Sequence, residues 1–77
     1  SSFCIMEKRM NPSLYKIEVY FPDGVCKNTY AFKLEDADRY ISDTRHFKEI
    51  GAVSVKLSVV YVHQGIKYQV LRKTVRF

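Results

Sequence analysis

Two cysteines, Cys4 and Cys26, are all the chain has, far short of the bridges with which small secreted domains compensate for a thin core. Reduced thiols and a cytoplasmic setting are the expectation. No apolar run approaches the roughly 20 residues a membrane-spanning helix needs, so no membrane partner is expected. Phe3-Cys4-Ile5-Met6 is too short for the hydrophobic region of a signal peptide, and no small-residue cleavage site follows it. The chain starts at Ser1 without a methionine, and Met6 and Met10 lie just inside it. Some or all of residues 1–9 are therefore expected to be a vector-derived remnant or a processed leader.

Spacings that carry chemistry are equally scarce. A metal site needs ligands that converge, but His46, His63, Cys4 and Cys26 form no CxxC or HxxxH pair. No GxGxxG or GxxxxGK loop offers a phosphate cradle. A thiol activated by imidazole is a workable nucleophile, yet Cys26 is expected to turn into the core as a small buried residue. Asp36, Asp38 and Asp43 fall on an exposed helix surface, where Glu35 and Arg39 make a supportive i,i+4 pair. No catalytic residue, metal, cofactor or small-molecule substrate is indicated, and the chain is expected not to be an enzyme.

What is present is an order of hydrophobic periods. The chain is 77 residues long, 47% hydrophobic and 27% charged, the composition of an ordinary globular domain, and at that length folding buries only roughly 60% of the unfolded surface. From Ser13 to Tyr20, Tyr15, Ile17 and Val19 alternate with Lys16, Glu18 and Tyr20, the pattern of a strand buried on one face. Pro22-Asp23-Gly24 supplies a turn. A second strand from Val25 to Lys33 is expected to turn Cys26, Tyr30 and Phe32 inward and Lys27, Thr29, Ala31 and Lys33 outward.

Beyond Leu34 the period becomes helical. Ala37, Tyr40, Ile41, Thr44, Phe47 and Ile50 recur at spacings of three and four, which gathers them into one stripe. Acids in the first turn and Gly51 at the end bound this helix. Ala52 to His63 alternates again, then turns apolar on both faces at Val59-Val60-Tyr61-Val62, a run that asks for cover beyond the helix. Gln64-Gly65 makes a tight turn into a last strand opened by Ile66, Tyr68 and Val70. Its apolar set then changes parity to Leu71, Val75 and Phe77, for which a β-bulge near Val70-Leu71 is the simplest cause.

The order is ββαββ and the class α+β, with four strands covered on one face by a helix. Residues 13–77 form the expected domain, and residues 1–12 an extension that ends in the turn signal Asn11-Pro12. The order resembles the β-grasp arrangement of small immunoglobulin-binding and ubiquitin-like domains, which implies a strand order 2-1-4-3 with a parallel central pair and with strand three at an edge. A fully antiparallel order is the alternative.

The surface supplies the functional reading. The net charge is +5 with a pI near 9.4, which favours encounters with acidic partners. Strict alternation places Lys16, Lys27, Lys33, Lys56, Lys67 and Lys73 on the sheet face opposite the helix, six of the chain's eight lysines, with Tyr20 as the sole aromatic among them. The expected function is a non-catalytic adaptor that meets a protein partner, or a second copy of itself, through the exposed edge of strand three at Val60 and Val62, aided by Tyr20, Lys56 and Lys67. The alternative is sequence-indifferent nucleic-acid binding by the six lysines. Phe3 to Met6 could instead fold back and cover that edge.

Overall fold

The computed structural model describes residues 12–77, and the readings made of the N-terminal leader and of Phe3 to Met6 lie outside them. The elements are β1 (Leu14–Tyr20), β2 (Cys26–Ala31), α1 (Leu34–Ser42), α2 (Thr44–Glu49), β3 (Ser54–His63) and β4 (Ile66–Arg76). The α+β class and the ββαββ order stand, with the helix in two pieces.

Each turn is made by the residues that suit it. Gly24 takes φ +86° and its N–H bonds the Phe21 carbonyl at 3.1 Å, while an Asp23 carboxylate oxygen accepts the Val25 N–H at 3.1 Å. Gln64 and Gly65 have φ +51° and +75°, the two left-handed residues of a two-residue hairpin whose twist matches its strands.

The helical stripe is interrupted at Asp43, which leaves helical geometry (φ −80°, ψ 66°). Its carboxylate accepts the His46 N–H at 3.3 Å and so starts a second helix. Of the six expected stripe residues, Ala37, Ile41 and Phe47 are buried, while Tyr40 and Ile50 are exposed. Gly51, at φ +83°, closes α2: its N–H bonds the Lys48 carbonyl at 3.1 Å, and the next N–H, of Ala52, bonds that of Phe47 at 2.9 Å.

The sheet order is β2-β1-β3-β4 and every pairing is antiparallel. The antiparallel alternative holds, and the β-grasp order 2-1-4-3 does not. β3 is therefore an interior strand, paired from Ser54 to Val60 with β1 on one side and along its length with β4 on the other. Val59 and Tyr61 lie on the helix side, while Val60, paired with Leu14 and Gln69, lies on the opposite face. Val59, Val60 and Tyr61 are all buried, whereas Val62 is 48% exposed. β4 is the long edge.

Ile17 and Val19 from β1, Val55 and Leu57 from β3, and Ala37, Ile41 and Phe47 from the helices make one core. The expected bulge in β4 is present: Ser58 pairs with Leu71 and Leu57 with Lys73, so Arg72 is the extra residue. The shift brings Val75 opposite Val55 and lets Phe77 stack on Phe47, ring centres 5.5 Å apart. Leu71 does not join this inward set and is exposed.

Candidate functional site

Residues paired directly across neighbouring strands share a face, so the register sorts every strand residue. Ile17 defines the helix-covered face. Lys16, Glu18 and Tyr20 of β1 define the open one, together with their partners Tyr30, Asn28 and Cys26 on β2 and Ser58, Lys56 and Ser54 on β3. β4 adds Lys67 opposite Val62, Gln69 opposite Val60 and Arg76 opposite Ser54.

The sorting corrects two sequence expectations. β2 has the opposite parity to the one expected: Lys27 pairs with Val19 and Thr29 with Ile17, on the helix side, while Cys26 and Tyr30 are on the open face and exposed. The alternating sets of β2, Cys26, Asn28 and Tyr30 against Lys27, Thr29 and Ala31, are equally mixed in polarity, so period two alone could not choose between them. The lysine face is also smaller than expected. Lys16, Lys56 and Lys67 belong to it; Lys27 does not, Lys73 pairs with Leu57 on the helix side, and Lys33 lies in the connection before α1. Arg76, not singled out in the sequence, and Tyr30, expected inward, join the open face.

A polar network sits at the centre of this face. The Tyr20 hydroxyl donates to Glu18 Oε2 at 2.7 Å, and Gln69 Nε2 donates to Glu18 Oε1 at 3.4 Å. Lys56 Nζ lies 5.1 Å from the centre of the Tyr20 ring, within cation–π range. The bond to Glu18, reinforced by desolvation and by the Glu18 charge, pushes the Tyr20 phenol up from 10.0 to about 12. A pKa raised in the folded state means that the neutral phenol is favoured there, so this contribution to stability is complete below pH 10 and is lost as pH rises through about 12. In an absorbance titration, Tyr20 is expected to ionise near the top of that range, a step that Tyr20→Phe removes and Glu18→Gln brings down. A Tyr20 step left unmoved by Glu18→Gln would show that the bond is not made.

Beside the network, toward the Leu14 end of β1, lies a depression of about 350 Å³. Leu14, Val60 and Val62 give it an apolar floor, Tyr30 stands at one side, and Lys16, Lys67 and Gln69 supply its polar rim. Four sequence candidates, Lys16, Val60, Val62 and Lys67, thus meet in one place. They do not meet along one strand: they come from β1, β3 and β4, and β3 is paired with β1 as far as Val60, with Val62 past the end of that pairing. Tyr20 and Lys56 lie farther along the same face.

Charge is segregated along the chain. Residues 50–77 contain no Asp or Glu but carry Lys56, Lys67, Arg72, Lys73 and Arg76, while Glu35, Asp36, Asp38, Asp43 and Glu49 fall in the helical segment. The sequence therefore contained a signal for the basic hairpin beyond the count of lysines. Among the described residues the one ion pair is Arg45 with Glu49, at 3.2 Å on α2, so no described carboxylate neutralises the cations of the open face through a salt bridge. No group of three or more His, Cys, Asp or Glu among the described residues could hold a metal ion. Cys26 pairs with Tyr20 at one end of β1 while His63 lies past the other end, so they do not form a nucleophile pair. No helix among the described residues is long and apolar enough to cross a membrane. Comparison with protein-family models, curated proteins and solved structures returns no match.

Proposed function

We propose that the chain is a non-catalytic binding module that takes nucleic acid, without sequence preference, on the open sheet face. The observation that carries the reading is the placement of Lys16, Lys56, Lys67 and Arg76 around two tyrosines on that face, with three of the four cations on a hairpin free of carboxylates. Cations held by a sheet and not engaged in ion pairs gain affinity by displacing counterions from phosphates. The second tyrosine matters because an aromatic platform for bases uses two or three rings. A cytoplasmic location is part of the proposal, supported by a cysteine content too low for a disulfide framework.

A protein partner or a second copy is the competing reading, transferred from β3 to the outer edge of β4. That edge carries Lys67, Arg72, Lys73 and Arg76 and is broken by a bulge, features that blunt an edge against strand addition. The edge supports that reading less than the open face supports nucleic acid.

The test is fluorescence anisotropy of a labelled mixed-sequence oligonucleotide over about 50–200 mM salt. Binding that weakens steeply across this range and is indifferent to sequence is the expected result. No binding even at the lowest salt would refute the proposal.

A further inference from the structure

We infer that the preferred ligand is single-stranded, and that the depression beside Tyr30 seats one unstacked base with the flanking phosphates held by Lys16 and Lys67; this rests on the nucleic-acid reading proposed above. The two lysines lie on β1 and β4, on either side of β3. Two strand-to-strand steps, about 10 Å, and four residues of register, about 13 Å along the strands, separate their positions. Between them lie Val60, buried, and Val62, half exposed. A site for phosphates alone has no use for that apolar floor. A duplex presents phosphates with its bases stacked inside, whereas a single strand can offer the flat face of a base and its phosphates together.

Tyr30 and Tyr20 are not equivalent. Tyr20 has its ring next to Lys56 and its hydroxyl bonded to Glu18. Tyr30 makes no ring contact among the described residues and is 55% exposed, so its face is available for stacking. Lys16 is its direct cross-strand partner, which sets a cation beside the ring. Four residues of strand separate the Tyr30–Lys16 pair from Tyr20, about 13 Å at the rise of a strand, so the two rings would meet different nucleotides.

Gln69 adds a polar contact without adding sequence preference. Its Nε2 is directed to Glu18, which leaves Oε1 as an acceptor at the rim of the depression. Each of the common bases carries at least one N–H on its pairing edge, exposed once the base is unpaired. The volume, about 350 Å³, is at the small end of the range for pockets that hold compact ligands.

Anisotropy titrations of the full chain with a labelled single strand of about twelve nucleotides, and with the duplex of the same sequence, test this. The single strand is expected to bind more tightly. Tyr30→Ala should weaken single-strand binding about tenfold, and Tyr30→Phe, which keeps the ring, should restore it. Circular dichroism checks that both variants are folded. Equal affinity for the two forms, or a Tyr30→Ala variant that binds the single strand like the parent, overturns the base seat while leaving the cationic face standing. Absence of binding to either form overturns both.

Discussion

Phe47→Ala is expected to destabilise the domain by about 3–5 kcal/mol. Phe47 is 0% exposed and is the residue on which the helices and the end of the sheet converge. The Tyr40 ring meets it edge-on at 5.4 Å, and Phe77 stacks on it from beyond β4. Its backbone carbonyl also receives the Ala52 N–H that closes α2, so the side chain is fixed at a point where the backbone has little freedom to collapse into the space left behind. Truncation removes the transfer energy of the ring and leaves a cavity between two aromatic neighbours. Against a total of roughly 5–15 kcal/mol for a small domain, that loss takes a large part of the stability. Urea denaturation should show a midpoint far below that of the parent. A midpoint that barely moves would mean that the core is not organised around this residue.

Reversing Lys16 and Lys67 together to glutamate should reduce affinity for a single strand by at least about a hundredfold at moderate salt, because two phosphate contacts are lost and two repulsions replace them. The dependence of log K on log salt should become shallower by about 1.4, the share of two contacts. Lys56 is left intact in this test, since it faces Glu18 across the strands and lies over Tyr20; its reversal would confound binding with folding. The informative control is Lys27→Glu with Lys73→Glu, which changes the net charge by the same amount on the helix-covered side of the sheet; because Lys27 lies over the Phe21 ring at 5.5 Å, circular dichroism checks that this variant is folded. If only net charge mattered, both pairs would behave alike. A much larger loss from the first pair assigns binding to the open face, and equal losses would remove that face from the account.

The same control separates two readings of the lysines. Strict alternation counted from each strand's own residues puts Lys27 with Lys16, but the register pairs Lys27 with Val19 and Lys16 with Tyr30. The difference arises in the loop Phe21 to Val25. Its closure pairs Tyr20 with Cys26 and thereby decides which side chains of β2 share a face with β1. Tyr30 was legible as an alternating aromatic, yet nothing within β2 said which way it pointed. In the helical segment the spacing identified Ala37, Ile41 and Phe47 correctly as buried but carried Tyr40, Thr44 and Ile50 with them. The break at Asp43 resets the helical phase of α2 against that of α1, and its signal was a capping residue in mid-stripe.

The ββαββ order, the glycine turns, the bulge in the last strand and the excess of positive charge were all legible in the amino-acid sequence. These are local properties: periods, left-handed residues and counts depend on a few neighbouring positions. Which strands lie side by side was settled in three dimensions. The apolar run Val59 to Tyr61 suited an interior strand covered on both sides as well as a sticky edge, and the choice depended on β1 pairing with β3 rather than with β4. Once β3 lay between β1 and β4, the basic, bulged β4 became the long edge, and Val60, Val62, Lys16 and Lys67, from three strands, met in one depression on an open face. Periodicity states which residues alternate, whereas a site is made by residues distant in sequence, and their meeting is fixed by pairing between strands.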